Sequence, residues 1–315
     1  MVTLYKNTKD MESEKIIMEL DIEKKTKAHM VAFITIVIWG TTYIFTKVLL
    51  QSFQPVEILF FRFVIAYFVL MIISPKKMQV EKTHEKYFVF AGLTGITFYY
   101  LLENIALVYT QATNVGVIIS VAPFFTAIFA YLFIKGEKLS LNFMMGFIVA
   151  MVGIIMISYN GSTSFQLNPI GDILALLAAL VWAVYSILIR KISSLGYGSI
   201  QMTKRSFFYG ILFMIPALYV LNYHPDYAKL LEPAILMNVL FLGVGASAIC
   251  FVIWNYAVKT LGAVTTSIYI YLVPVITTTT SIIVLKEKIN FVSIIGILCT
   301  LIGLFLSQKR GKCEK

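Results

Sequence analysis

Charged residues and cysteine are scarce in this chain of 315 residues. Charged residues make up 13% of the sequence, whereas soluble domains contain roughly 25%. The three cysteines, Cys250, Cys299 and Cys313, show neither a paired spacing nor the spacing of metal ligands. We therefore expect no disulfide and no metal site, and the low charge content is unlike that of a water-soluble domain.

Motifs for nucleotide hydrolysis and covalent catalysis are also missing. The sequence contains no P-loop, no cluster with metal-ligand spacing and no nucleophile elbow. Near the N-terminus no small-residue cleavage site follows a short apolar core, so we expect the first apolar run to stay in the mature protein. These absences weigh against an enzyme, against a bound cofactor and against ATP hydrolysis by the chain itself.

Apolar residues dominate what is present. Hydrophobic residues make up 59% of the chain, and the mean hydropathy is +0.85. A bilayer core about 30 Å thick needs roughly 20 apolar residues per helix, and continuous runs without alternation exclude a β-barrel. Ten runs of this kind occur, at about 30–50, 56–74, 87–108, 112–134, 140–158, 171–190, 201–221, 235–258, 262–285 and 291–308. The predicted fold is an all-α integral membrane protein with ten transmembrane helices, whose surroundings are a lipid bilayer.

Most basic residues lie in connections on one side of the predicted membrane. If the N-terminus is inside, 21 of the 26 lysines and arginines fall in inner segments. The positive-inside rule then places both termini in the cytoplasm, with Lys286 and Lys288 as exceptions on the outer side. Because this distribution accounts for the net charge of +10, we expect no nucleic-acid partner.

Two stretches of the chain repeat one another at an offset of 151 residues. The first copy contains Asn104, Ala106, Ala112, Ile119 and Pro123. These residues recur without a gap as Asn255, Ala257, Ala263, Ile270 and Pro274. Upstream, the two copies correspond at an offset of 143 residues. Trp39, Lys47 and Arg62 of the first copy match Trp182, Arg190 and Arg205 of the second.

The repeat predicts two similar halves of opposite orientation. Each half contains five predicted helices, and because five is odd, the second half enters the membrane inverted relative to the first. Two inverted halves that enclose a cavity are the usual architecture for moving small solutes by alternating access. The predicted organisation begins with an N-terminal cytoplasmic tail at residues 1–29 and a first five-helix repeat at 30–158. A linker at 159–170 leads to a second five-helix repeat at 171–308 and a C-terminal cytoplasmic tail at 309–315.

Several short motifs resemble those of a known transporter family. They are Trp39-Gly40 in the first span, Arg62 in the second, Ala106-Leu107 with Ala112-Thr113-Asn114, Pro123 in mid-helix, and Gly136-Glu137 before the fifth span. Together with the duplication, they resemble the EamA family of the drug/metabolite transporter superfamily over residues 30–308. The resemblance implies ten helices with both ends inside, a plasma (inner) membrane location, and export of amino acids, related metabolites or drugs.

The second copy departs from this pattern at two positions. Ala183 follows Trp182 where the first copy has a glycine, and Lys286 precedes Glu287 where the first copy has a glycine. Divergence of this kind weakens the motif of the second copy more than the resemblance itself.

Residues that occur in both halves are expected to serve the fold that each half must build. Pro123 and Pro274 lie near mid-span and lack the N–H that would bond the carbonyl four residues earlier. A packing kink is the preferred explanation. The alternative is a pair of substrate-facing carbonyls, those of Ile119 and Ile270.

The repeated charged residues are likewise expected to be structural. Glu137 and Glu287 each lie three residues before a polar residue suited to cap the next helix, so capping and loop closure are preferred. Arg62 and Arg205 each open the second span of their half, where anchoring to headgroups or to backbone carbonyls is preferred.

Glu103 has no acidic counterpart, because Trp254 occupies the matching position of the second copy. A charged side chain in a span costs at least about 2.5 kcal/mol on insertion scales, so it normally faces a cavity or a partner. Arg62 lies at a similar depth from the same end of the bundle. The sequence leaves open whether Glu103 forms an ion pair with Arg62 or contacts substrate or a proton directly.

Aromatic and polar residues on the predicted inward faces complete the candidate binding site. The rings suit an amphipathic solute that carries an amine or another cation, although an interfacial aromatic belt remains the preferred position for any single ring. The candidate substrate-binding residues are Glu103, Trp39, Tyr43, Tyr99, Asn104, Ser120, Trp182, Tyr185, Trp254 and Tyr271.

Three functional hypotheses follow. The first is a secondary transporter that exports amino acids or similar metabolites, and the second is an exporter of cationic amphiphilic drugs. The third, a membrane enzyme or assembly scaffold, would need a histidine or acidic cluster at the membrane surface or a binding domain. The expected partner is a small-molecule substrate, and both a monomer and a dimer are compatible with the sequence.

Overall fold

The computed structural model describes residues 2–158, 168–221, 223–285 and 291–308. Within these ranges the chain is helical, with short connections and no strand. In chain order the α-helices are α1 Val2–Leu49, α2 Pro55–Ile73, α3 Lys82–Tyr109, α4 Ala112–Ile119, α5 Ala122–Phe133, α6 Leu141–Ser158, α7 Pro169–Ser194, α8 Ser199–Val220, α9 Pro233–Leu261, α10 Ala263–Ser267, α11 Val273–Leu285 and α12 Phe291–Gln308. Glu287, residues 159–167 of the predicted linker and the tail 309–315 lie outside the described residues.

Among the described residues, seven helical stretches are long and apolar enough to cross a membrane, and two of them, Asn114–Phe133 and Ala263–Thr280, each combine two of the helices named above. Two shorter apolar helices, Leu141–Met156 and Ile294–Gln308, accompany them. The structure is therefore that of an all-α, multi-pass membrane protein. Ten crossings, the inverted orientation of the halves and the predicted domain boundaries stay predictions. Helix α1 runs without a break from Val2 through the first span, so the residues of the predicted N-terminal tail that the structure describes are helical.

Helix starts follow local sequence signals. Proline occupies the first turn of α2, α7 and α9, at Pro55, Pro169 and Pro233. The N–H groups of a first turn have no partner within the helix, so the missing N–H of proline costs no hydrogen bond there. The Asn168 side chain accepts hydrogen bonds from the N–H groups of Ile170 and Gly171 and so caps α7.

Both α3 and α9 contain a π-helical segment at matching positions of the repeat. The segments are Leu93–Phe98 in α3 and Phe241–Ile249 in α9, and their last residues are 151 positions apart. A π-helical segment widens the helix locally and is frequent at functional sites. The same departure from α-helix therefore occurs in both copies, although neither segment contains proline.

The two repeated prolines begin new helical segments and do not merely kink a continuous helix. Pro123 lies in the first turn of α5, after α4 has ended at Ile119. Pro274 follows a short 3-10 stretch, Ile268–Leu272, that separates α10 from α11. In both copies the regular α-helix is interrupted just before the proline, and its role as a packing kink stays a prediction.

Helices α6 and α12 pack against each other through glycines. A Cβ atom on Gly153 would lie 2.5 Å from the Gly296 carbonyl oxygen, and one on Gly303 would lie 2.6 Å from the Gly146 carbonyl oxygen. Glycines allow helix backbones to approach closely in a membrane, where packing replaces the hydrophobic effect between helices. The fifth predicted span is thereby fixed to the tenth.

Each predicted half also packs its second helix against the third helix of the other half. Helix α8 meets α3 where a Cβ on Gly92 would lie 2.6 Å from the Gly210 nitrogen. Helix α2 meets α9 where a Cβ on Gly243 would lie 2.8 Å from Ile65 Cγ2. Both contacts lie within or directly beside the π-helical segments of the two halves.

We predict that Gly153→Ala destabilises the protein by about 1–3 kcal/mol, the usual cost of overpacking. The new methyl group would meet backbone atoms of Gly296 and Thr300, which cannot move away as a flexible side chain can. Gly245→Ala is the matched control, because its methyl group would find only ordinary contacts with the Phe241 ring at 3.6 Å or more. Thermal unfolding in detergent measures both variants, and equal melting temperatures would contradict the prediction.

Candidate functional site

A cavity in the middle of the bundle is lined by both predicted halves. Its wall combines one carboxylate, five aromatic side chains and a set of small or aliphatic residues. The lining residues are Ile36, Trp39, Thr42, Tyr43, Tyr99, Tyr100, Glu103, Ile119, Trp182, Ile270 and Val273. They come from α1, α3, the end of α4, α7, the 3-10 stretch and the start of α11.

The carboxylate is that of Glu103, which is 2% exposed. Tyr43, Tyr99 and Tyr100 lie close enough to interact with it electrostatically. Because a buried charge is costly without a partner, an acid in this position is suited to a ligand that brings a positive charge.

The direct ion pair between Glu103 and Arg62 is not formed. Arg62 is 1% exposed, and none of its nitrogens lies within 4.0 Å of a Glu103 oxygen. Arg62 Nε donates to Ser247 Oγ of α9 at 3.0 Å, and the guanidinium lies 4.2 Å from the centre of the Tyr100 ring. The two charges still interact through space, while Arg62 is absent from the cavity wall.

Aromatic rings pack around the cavity as one cluster. The Trp39 ring lies 5.3 Å from that of Trp182 and 5.1 Å from that of Trp254. Tyr99 lies 4.8 Å from Trp182, and Trp39 Nε1 donates to the Ala246 carbonyl in the π-helical segment of α9 at 2.8 Å. An interfacial belt was the preferred position for single rings, and for these buried rings that interpretation was wrong.

Tyr185 supports the cluster from behind and does not line the cavity. Its ring lies 5.1 Å from Trp182, and its hydroxyl donates to Asn255 Oδ1 at 3.0 Å. A Cβ on Gly95, in the π-helical segment of α3, would lie 2.1 Å from the Tyr185 ring. Gly95 is thus the residue that makes room for the ring.

Four further candidates are buried but lie outside the cavity wall. Asn104 donates to the Pro55 carbonyl at 3.1 Å, and Ser120 donates to the Gly116 carbonyl at 2.8 Å. Trp254 packs on Trp39, and Tyr271 lies 6.5 Å from the Phe147 ring. The structure therefore brings five of the ten candidates to the cavity, namely Glu103, Trp39, Tyr43, Tyr99 and Trp182.

The repeated basic residues bind within the protein. Lys47 donates to the carbonyls of Leu107 and Thr110 at the end of α3, and Arg190 Nη1 donates to the Lys259 carbonyl near the end of α9 at 3.0 Å. These contacts satisfy carbonyl groups that a helix end leaves unpaired. Both residues act as repeated helix caps.

Arg205 and Glu137 occupy different settings. Arg205 pairs with the Glu85 side chain and not with a backbone carbonyl. Glu137 follows Gly136, whose φ of +87° suits glycine, and α6 begins a few residues later at Leu141. This position is compatible with the expected role in closing the loop.

Sequence reasoning missed several residues of the cavity wall. Ile36 and Thr42 lie three residues to either side of Trp39, so helical periodicity around that tryptophan would have found them. Val273 precedes the repeated Pro274 and had no comparable signal. Ile119 and Ile270, proposed only for their carbonyl groups, do line the cavity where their helices are interrupted.

The geometry defines a class: a multi-pass membrane protein with an internal, aromatic and acidic cavity between helices from both parts of the chain. The profile of the EamA-like transporter family matches residues 26–159 and again residues 169–308. The chain belongs to the EamA-like transporter family, whose members are transporters and not enzymes.

Relatives are similar to the chain over nearly its whole length. An uncharacterized transporter of Archaeoglobus fulgidus is 28% identical over 290 residues, covering 90% of this chain and 98% of the relative. A probable terminal-alkyne amino-acid exporter of Streptantibioticus cattleyicolor is 25% identical over 289 residues, covering 91% and 95%. A crystal structure of another protein superposes with a TM-score of 0.70 at 17% identity, covering 90% and 96%, and this likeness concerns the fold alone.

We predict that Gly95→Ala changes the intrinsic tryptophan fluorescence. All three tryptophans of the chain lie in the cavity cluster, and a methyl group on Gly95 must displace the Tyr185 ring that supports Trp182. The emission maximum and its intensity measure the effect in detergent-solubilised protein. Gly245→Ala serves as the control, and identical spectra for the two variants would show that Tyr185 does not support the cluster as described.

Proposed function

We propose that the protein is a secondary transporter that exports small metabolites, with amino acids or related compounds as the substrates, across a plasma (inner) membrane. The observation that carries this proposal is a buried carboxylate, Glu103, in a cavity whose wall otherwise consists of rings and aliphatic or hydroxyl side chains. A primary amine can bind such a carboxylate through a charge-assisted hydrogen bond. The aromatic rings provide apolar contacts and attract the cation through their faces.

Alternating access is proposed as the mechanism. The family profile matches the chain twice, and π-helical segments occur at matching positions in the two copies. Both features support two structurally similar halves. When two such halves are inverted, each can adopt the conformation of the other, and the central cavity then opens to the opposite side of the membrane. In this proposal both termini are cytoplasmic, and the two repeats meet in the region of residues 159–170.

Export of cationic amphiphilic compounds is the second candidate. It is favoured by the absence of a direct ion pair between Arg62 and Glu103 and by the inward position of Trp39, Tyr43, Tyr99 and Trp182. No comparable observation favours a membrane enzyme or a scaffold. Within the described residues no group of three or more His, Cys, Asp or Glu side chains is placed to hold a metal ion.

We predict that Glu103→Gln abolishes efflux at unchanged membrane abundance. The substitution keeps the size of the side chain and removes the negative charge that would hold an amine. Efflux from proteoliposomes loaded with radiolabelled leucine, with unlabelled amino acids or a quaternary ammonium dye as competitors, measures the loss and separates the two substrate classes. Glu23→Gln, at an exposed position of α1, is the control, and normal efflux by Glu103→Gln would remove this carboxylate from the mechanism.

The proposed topology makes a separate prediction. Tyr109 ends α3 and Thr260 lies at the matching end of α9, so inverted halves place them on opposite sides of the membrane. After replacement of the three native cysteines, a membrane-impermeant maleimide should label Tyr109→Cys from outside intact cells. Thr260→Cys should react only in inside-out vesicles. Labelling of both positions from the same side would refute the inverted arrangement.

A further inference from the structure

The two predicted halves are held together at one end of the bundle by a group of charged side chains outside the cavity. This end contains the connection between α2 and α3 and the connection between α7 and α8. We call the group formed by Glu85, Lys204, Arg205 and Tyr209 the Glu85 clasp. Glu85 comes from α3 in the first half, and the other three residues come from α8 in the second half.

Glu85 receives three donors in the clasp. Arg205 Nε and Arg205 Nη2 each lie 2.8 Å from Glu85 Oε1, and the Tyr209 hydroxyl donates to the same oxygen. Lys204 adds a donor to the Ser74 carbonyl and another, at 2.9 Å, to the Lys76 carbonyl, both in the connection after α2. Every one of these bonds joins the two predicted halves.

A neighbouring contact extends the clasp along the same end. His84 Nδ1 lies 2.9 Å from the Tyr197 hydroxyl, and the Glu81 N–H reaches the same hydroxyl at 3.5 Å. Lys259, near the end of α9, donates to the Tyr197 carbonyl at 3.0 Å. The connection between α7 and α8 is thereby bound both to the start of α3 and to the end of α9.

At the opposite end, the described residues join the halves through hydrogen bonds. The His224 N–H donates to Glu57 Oε1 at 3.2 Å, and Asn238 Nδ2 donates to the Phe45 carbonyl at 3.1 Å. Within the described ranges, Arg205–Glu85 is the ion pair that joins the two halves. Among the described residues, the two ends therefore differ in the kind of contact, with an ion pair at the Glu85 end and hydrogen bonds at the other.

The repeat allows the contact of Arg205 to be compared with that of the matching arginine in the other copy. Arg62 is the counterpart of Arg205 in the first copy, at an offset of 143 residues. It likewise reaches from a second helix to the third helix of the other half, but its partner there is the hydroxyl of Ser247. One copy of a repeated arginine thus binds an acid near the end of the bundle, while the other is buried beside the Tyr100 ring.

We propose that the Glu85 clasp is the gate that closes the cavity on its side of the membrane. The inference rests on the proposed transport function, since a gate has meaning only if the cavity opens to both sides. Opening toward the Glu85 end requires Arg205 to leave Glu85 and Lys204 to release the carbonyls of Ser74 and Lys76. Under the proposed topology, this end is cytoplasmic.

The clasp is tested by the accessibility of the cavity. Thr42→Cys, on the cavity wall, is introduced after replacement of the native cysteines, and its labelling by an impermeant maleimide is followed from each side. Glu85→Gln and Arg205→Gln should each raise the labelling rate from the Glu85 end by about two- to fivefold, the shift expected from losing one partly exposed ion pair. The double variant should give about the same increase as either single variant, because each of the three removes the Arg205–Glu85 ion pair.

Two further variants separate gating from misfolding. The exchange Glu85→Arg with Arg205→Glu retains the ion pair and should return labelling toward the original rate. Tyr209→Phe removes one hydroxyl donor and keeps the ring, so a smaller increase is expected. Lys25→Gln, which breaks the exposed pair with Asp21 at 2.7 Å in the extension of α1, is the matched control and should change nothing.

Quenching of tryptophan fluorescence by iodide gives a second measurement of cavity accessibility, and it requires no introduced cysteine. All three lie in the cavity cluster, so opening at the Glu85 end should raise their quenching in inside-out vesicles. Unchanged labelling and quenching in Glu85→Gln and Arg205→Gln would overturn the gate even if the protein exports metabolites. Increased labelling in these variants, with no export of any solute by the unaltered chain, would support the gate and refute the proposed function.

Discussion

Backbone hydrogen bonding inside lipid is the constraint on which the rest of the structure depends. No water is available in the bilayer core, so every N–H and C=O must find a partner within the protein. Continuous helices satisfy this requirement everywhere except where the chain departs from the α-helix. In this protein the departures, at the π-helical segments and at the interruptions before the repeated prolines, gather in the interior, beside or within the cavity wall. Irregular backbone is placed where other protein groups shield it from lipid.

The same interior position suits a binding site. Ile119 and Ile270 reach the cavity because their helices stop there, and Gly95 accepts the Tyr185 ring because its widened helix carries no side chain at that point. Glu103 then provides the charge that the aromatic wall lacks. The cavity therefore joins two features of different origin: a backbone arrangement shared by both copies of the repeat, and a carboxylate found in the first copy, where the second has Trp254.

Sequence reasoning reached the helices and the repeat because both depend on local composition and on spacing along the chain. It also selected Glu103 from the loss of symmetry at one position. It did not find the π-helical segments, since neither contains proline. For any single aromatic ring it preferred an interfacial belt to the binding site, because tryptophan and tyrosine favour both settings. The contact between Arg205 and Glu85 joins residues 120 positions apart, and no local pattern reports such a pairing. What the sequence could not supply was the lateral arrangement of the helices.

The glycine contact between α6 and α12 has a consequence for how such a molecule can move. The backbones of α6 and α12 are in contact at Gly153 and Gly303. Sliding or tilting of one helix against the other would separate them or bring main-chain atoms too close, so this contact resists relative motion. The two helices are therefore expected to move together, and their contact links the last helices of both repeats. Under the proposed alternating access, this pair is suited to be a pivot between the repeats, and we expect the largest displacements on the helices farthest from it.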